Sequence, residues 1–143
     1  MPSDPHDLAR FVDAQAGVYQ TALDELRAGQ KRSHWMWFIF PQFRGLGSSS
    51  MAKRYAIQTR DEAAAYLAHP MLGPRLIECT QALLTVDGRS ALQILGSPDD
   101  VKLKSCATLF AAVAPAGSVF DRLLDKYYAG ERDPRTLVLL AAP

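Results

Sequence analysis

The sequence has only two cysteines in 143 residues, and they lie far apart, at Cys79 and Cys106. Each falls inside a helical pattern, so we interpret both as reduced thiols of the core rather than as a disulfide pair. The first ten residues show no basic stretch followed by an apolar segment, which is the pattern of a secretory leader. We therefore expect a soluble, cytoplasmic protein.

Long apolar runs and a charge excess are also missing. No apolar run is longer than that of residues 35–40, which is far shorter than the roughly 20 residues that span a bilayer. The formal net charge is only +1 and the basic residues are scattered. We therefore expect no sequence-independent electrostatic binding to nucleic acid or to anionic lipid. We expect neither a membrane nor a nucleic acid as a partner.

Sequence motifs of metal sites and of nucleophilic catalysis are absent. The histidines His6, His34 and His69 are far apart, and neither HExxH nor CxxC occurs. The sequence also lacks a GxSxG elbow and a Walker lysine. We therefore expect no metal and no cofactor, and no catalytic residue is identified.

Helix signals are abundant. Side chains that can cap a helix precede apolar patterns at Asp4, Thr59, Ser97 and Asp133, three of them followed by proline. Glycines that suit a helix end follow three patterns, at Gly29, Gly96 and Gly130. Strict alternation hardly occurs, so strand evidence is thin. The pattern predicts an all-α fold of about seven helices in a single domain, residues 1–143.

Residues 33–42 are the exception to this clear helical pattern. Their aromatic run suits a buried strand, yet Ser33 can equally cap a buried helix that ends before Pro41. Periodicity does not decide between the two alternatives.

This segment also carries a family resemblance. SHWMWFIFPQFRGLGSSSMAKRYAI, which begins at Ser33, resembles the signature of a bacterial family, the domain-of-unknown-function family 1810. LARFVDAQ from Leu8 and FDRLLDKYYAGERDPRTLVLL up to Leu140 match as well. The resemblance implies a multihelical single domain and no established activity. Members often carry an automatic label of calpastatin, but that inhibitor is a disordered polar repeat protein, whereas this sequence has the signals of a folded core.

The glycine-rich loop after the aromatic run is the first candidate site. Its glycines permit positive φ and let backbone N–H groups converge, while its cations can pair with a phosphate or carboxylate. Alternatively, the glycines make a tight connection and the serines cap the next helix. The candidate residues here are Arg44, Gly45, Gly47, Ser49, Lys53 and Tyr55.

Three residues of the aromatic segment are further candidates, namely His34, Trp37 and Gln42. Large indoles lower the local dielectric, so a neutral His34 imidazole can act as a proton donor or acceptor. Alternatively, His34 is packed with one nitrogen bonded to backbone, and the aromatic residues simply anchor the core.

The start of the helix after Ser97 offers the last candidates, Lys102, Lys104 and Ser105. Lys102 and Ser105 are three residues apart and share a helix face, which can complete an anion site if it meets the glycine loop. Alternatively, Asp99 and Asp100 interact favourably with the positive end of the helix dipole, and Asp100 forms a surface ion pair with Lys104.

Two classes of function follow from these candidates. In the first, the protein is an enzyme or binding protein for a small anionic, nucleotide-like ligand. In the second, it is an interaction module whose aromatic segment docks another protein or a homodimer partner. A concave site with polar groups favours the former, and a flat apolar patch favours the latter.

Overall fold

A computed structural model describes residues 4–141, and this part of the chain forms ten helices. In chain order they are α1 (Ala9–Gln15), α2 (Tyr19–Ala28), α3 (Met36–Ile39), α4 (Ser50–Arg54), α5 (Arg60–Ala68), α6 (Leu72–Leu84), α7 (Ala91–Leu95), α8 (Asp99–Val113), α9 (Val119–Tyr128) and α10 (Pro134–Ala141). The all-α prediction is confirmed. Residues 1–3 and 142–143 belong to the predicted domain but lie outside the described part. Residues 1–3 also belong to the first ten residues, in which we found no leader pattern.

The predicted count of about seven helices is too low. Helices α3, α4 and α7 have only four or five residues, and such short elements are hard to count in a sequence. Such short elements give little helical periodicity, although the pattern that ends at Gly96 belongs to α7. One of them does carry a local signal that we missed, because Ser90 and Gln93 form a reciprocal capping box at the start of α7.

The predicted helix starts are confirmed at two sites. Thr59 accepts a hydrogen bond from the backbone N–H of Glu62 at 3.0 Å, and Asp133 accepts one from Thr136 at 2.9 Å. Helix α8 follows Ser97 as predicted and begins at Asp99, but no side chain caps it, so the predicted Ser97 cap is wrong.

The core is built around α8, which packs against α5, α7, α9 and α10, and around α6, which packs against α2, α5 and α9. Both cysteines are free and buried in this core, as predicted. Burial raises the pKa of the Cys79 thiol to about 12 and raises that of Cys106 as well. Within residues 4–141, no helix is long and apolar enough to span a membrane.

The aromatic segment is helical, so the strand alternative is wrong. Helix α3 lies between Trp35 and Phe40 in the sequence. These two residues and Met36 and Ile39 of the helix are at most 2% exposed. Ser33 does not cap this helix, because its hydroxyl donates to Glu25 at 2.6 Å. The segment is therefore part of the core, and it leads directly into the glycine loop.

Candidate functional site

The glycine loop is closed at its base by backbone hydrogen bonds. The N–H of Ile57 donates to the carbonyl of Gln42, and the N–H of Arg44 donates to the carbonyl of Ile57, both at 2.9 Å. These bonds form a parallel bridge between Phe43 and Ile57. The loop between them, which contains α4, therefore starts and ends at fixed points.

Three residues inside the loop have structural functions. Ser49 caps α4, because its hydroxyl accepts a hydrogen bond from the N–H of Ala52 at 3.1 Å. A Cβ on Gly47 would lie only 2.5 Å from the Cβ of Ala52, so this position requires glycine. Gly45 has a φ of +88°, which also favours glycine. A tight connection and a serine cap are thus both present.

A cavity of about 220 Å³ lies between this loop and the segment after α3. We call it the Gly-loop cavity, and it is lined by Gln42, Phe43, Arg44, Gly45, Gly47, Ala52, Lys53, Ala56 and Gln58. Its lining contains two cations and no acidic side chain. Arg44 is held in place because its Nε donates to the carbonyl of Gln58 at 2.9 Å. The cavity is therefore electropositive.

A second, much smaller cavity of about 10 Å³ adjoins the first. We call it the Trp37 cavity, and it is lined by Met36, Trp37, Phe40, Gln42, Ala52, Tyr55 and Lys102. Gln42 and Ala52 line both cavities, which together form what we call the groove. The smaller cavity has about the volume that one water molecule or one ligand oxygen occupies.

Lys102 and Trp37 face each other at this end of the groove. The Lys102 ammonium lies 5.0 Å from the centroid of the Trp37 ring, which is within the range of a cation–π contact. The indole nitrogen of Trp37 is buried and has no hydrogen-bond partner within the described residues. A buried donor without a partner is costly.

Helix α8 is joined to the groove by a side-chain hydrogen bond. The amide nitrogen of Gln42 donates to the hydroxyl of Ser105 at 2.7 Å, although the two residues are 63 positions apart. Asp99 lies behind Lys102, with its carboxylate 3.5 Å from that ammonium and 3.0 Å from Lys31. The face of α8 that carries Lys102 and Ser105 therefore meets the loop segment, as the sequence hypothesis required.

The structure does not bring two other candidates to the groove. His34 is exposed and lines neither cavity. Lys104 lies 2.6 Å from the Glu131 carboxylate, so the predicted pair of Lys104 with Asp100 is wrong. Lys102 and Lys104 are separated by about 200° around the helix axis, so only one of them can face the groove.

Comparison with known proteins shows the family of this chain and a solved structure with a similar fold. The family described as Protein of unknown function (DUF1810) matches residues 5–140. The chain belongs to this DUF1810 family. It is similar to the crystal structure of the conserved hypothetical protein Rv1873 from Mycobacterium tuberculosis, with 58% identity and a TM-score of 0.96, covering 98% of this chain and 100% of that one. No curated protein matches the chain.

One residue that supports the groove in this DUF1810 protein was missed by sequence reasoning. The Glu25 carboxylate accepts four hydrogen bonds, from Arg32 N, Ser33 N, Ser33 Oγ and Trp35 Nε1. Burial raises the pKa of Glu25, but these hydrogen bonds outweigh burial and lower the pKa to about 2. Glu25 is one polar residue of an amphipathic helix, and nothing in the pattern of α2 distinguishes it.

Arg10 was also missed, and it fixes the far end of the glycine loop. A guanidinium has five N–H donors, and all five of Arg10 are used. The acceptors are the backbone oxygens of His6, Asp7, Arg54 and Ala56 and the carboxylate of Glu62, at 2.7–2.9 Å. No sequence signal connects Arg10 to Arg54, Ala56 and Glu62, which follow it by 44, 46 and 52 positions.

A larger cavity, about 710 Å³, lies beside Arg10 and shares Gln58 with the Gly-loop cavity. Its lining combines Arg10 and Arg54 with the acidic residues Asp7, Asp61 and Glu62. Mixed charges give this cavity no preference for an anion or a cation, and the polar atoms of Arg10 are already bonded within the protein. The smaller groove is therefore the better candidate for a ligand site.

Proposed function

We propose that this DUF1810 family protein binds a small anionic molecule in the groove. The observation that carries the proposal is the charge of the lining. Arg44 and Lys53 line the Gly-loop cavity, Lys102 lines the Trp37 cavity, and no acidic side chain lines either one. Arg44 and Lys53 are exposed, and a group of cations at one surface cavity raises the local concentration of anions and stabilises their bound charge.

The volume of the groove limits the size of the bound group. Pockets for drug-sized ligands occupy roughly 300–1,000 Å³, and the Gly-loop cavity has about 220 Å³. A phosphate or carboxylate group with a few attached atoms fits this space, but a whole nucleotide does not. A nucleotide-like ligand would keep its base outside the groove.

The Trp37 cavity supports the same proposal. Its volume of about 10 Å³ suits one oxygen atom, and its lining supplies the Lys102 ammonium and the Gln42 amide. A ligand oxygen there would offer the Trp37 indole N–H the acceptor that it lacks within the described residues. We propose that one oxygen of the anion occupies this position.

Docking through the aromatic segment has less support. Trp35 and Phe40 are buried, and Trp37 and Phe38 are half-buried against the core.

A homodimer and a cytoplasmic location remain proposals. The two free thiols support the cytoplasmic location.

Titration calorimetry with inorganic phosphate tests the proposed function. Lys53→Gln and Arg44→Gln should each weaken binding about fivefold or more, because each removes a charged donor from the cavity. Arg122→Gln removes an exposed arginine of α9, and His34→Ala removes the exposed imidazole. Both of these controls should bind phosphate as the wild type does. Equal affinity in all five proteins would contradict the proposal.

A further inference from the structure

An apolar cavity adjoins the Gly-loop cavity on the side of α10. It has a volume of about 290 Å³ and is lined by Gly45, Pro134, Arg135, Val138 and Leu139. We call it the α10 cavity. Gly45 lines both cavities, so the cationic space and the apolar space meet at a residue that has no side chain.

Helix α10 presents apolar side chains to solvent at this cavity. Val138 is 71% exposed, which is the highest value among the large apolar side chains of the described residues. Leu139 lies beside the glycine, with its methyl carbons 3.6 Å from where a Gly45 Cβ would be. Arg135 reaches the carbonyl of Gly45 at 3.4 Å and ties α10 to the loop. An apolar group placed here would be shielded from water by Val138 and Leu139.

We propose that the bound anion is amphiphilic, with its charged group in the Gly-loop cavity and a short apolar chain in the α10 cavity. This inference rests on the proposed function. A free single-chain phosphate monoester or carboxylic acid has the required chemistry, with its chain passing Gly45 to reach Val138. The formal net charge of +1 gives the protein no basic excess to hold an anionic bilayer, so the ligand is a free molecule and not a membrane lipid.

Titration calorimetry with methyl phosphate, butyl phosphate and 1-butanol tests this inference. Each fully buried methylene tightens binding about fourfold, so butyl phosphate should bind the wild type at least about tenfold more tightly than methyl phosphate. Val138→Asn should remove most of that difference and leave the affinity for methyl phosphate unchanged. Leu92→Asn, which changes a leucine of α7 that is 54% exposed, should keep the full difference.

The outcomes separate this inference from the proposed function. If the wild type binds methyl and butyl phosphate equally, the apolar chain is wrong while the anion site stands. If neither phosphate binds, both proposals fail. Tight binding of 1-butanol would show an apolar site without a role for the charge and would overturn the inference. Association with phosphatidate vesicles in preference to butyl phosphate would also overturn it, because the ligand would then be a membrane surface.

Discussion

The indole nitrogen of Trp35 donates a hydrogen bond to the carboxylate of Glu25 across 2.9 Å, which ties α2 to the aromatic segment. The backbone N–H groups of Arg32 and Ser33, just before this tryptophan in the chain, donate to the same carboxylate. One acidic side chain thus sets the direction in which the chain enters α3. The groove depends on that direction, because Trp37 is the second residue of α3.

Replacement of this carboxylate should therefore destabilise the protein in a pH-dependent way. Glu25→Gln should lower the free energy of unfolding by about 1–2 kcal/mol at pH 7, because it weakens charged hydrogen bonds. The folded-state pKa of Glu25, about 2, lies below its ordinary value of 4.5. The stabilisation is thus present above pH 4.5 and is lost as the pH falls from 4.5 towards 2.

Urea denaturation of both proteins across this pH range measures the difference. Asp24→Asn, which changes the exposed neighbouring residue of α2, is the matched control and should show little change at any pH. A difference between wild type and Glu25→Gln that stays constant down to pH 2 would contradict the assigned role.

The contact between Gly47 and Ala52 predicts a specific rescue. Gly47→Ala should cost about 1–3 kcal/mol of stability, because its Cβ would overlap the Cβ of Ala52. The same substitution should cost much less in an Ala52→Gly background, where that atom is missing. Gly88→Ala, whose Cβ would meet no atom within 4 Å, should show no such dependence on position 52. Thermal unfolding of the four-protein cycle measures the coupling, and additive effects would refute the contact.

Arg10 should be among the most sensitive charged residues of the fold. Arg10→Lys should destabilise the protein by about 3 kcal/mol, because an ammonium has only three donors and at least two of the five acceptors would lose their hydrogen bond. Arg122→Lys, at an exposed site of α9, should change stability by less than about 0.5 kcal/mol. Chemical denaturation compares the two, and similar small effects would show that the Arg10 network contributes little.

The two thiols should be unreactive in the folded protein. Burial raises the pKa of Cys79 to about 12, so almost no thiolate exists at pH 8, and Cys106 is shifted in the same direction. A colorimetric thiol reagent should therefore react slowly with native protein and rapidly with both cysteines in guanidinium chloride. Rapid reaction of the native protein would show that one of the thiols is accessible.

Local signals predicted the helices well. Capping side chains such as Thr59 and Asp133 act on backbone groups three residues away, so the sequence contains the whole interaction. The predicted cap of α8 is wrong because Ser97 and Pro98 have the composition of a cap without its hydrogen bond. Helix α3 stayed undecided because four residues give too little periodicity to separate helix from strand.

The groove was predicted in part. Eight of the candidate residues line its two cavities, namely Trp37, Gln42, Arg44, Gly45, Gly47, Lys53, Tyr55 and Lys102. Their chemistry was visible in the sequence, but the contact between the loop segment and α8 was not, because it joins residues 63 positions apart. The α10 cavity was not foreseen for the same reason, since α10 reaches Gly45 from 90 positions away.

The most direct test of the anion site uses the indole N–H signals of the protein. The sequence has two tryptophans, so a ¹⁵N-labelled sample gives two indole resonances, which Trp35→Phe assigns. On titration with inorganic phosphate, the Trp37 resonance should shift in a saturable way as its N–H gains an acceptor, while the Trp35 resonance, already bonded to Glu25, should stay in place. Two resonances that both stay still, or that drift together without saturation, would contradict an anion site in the groove.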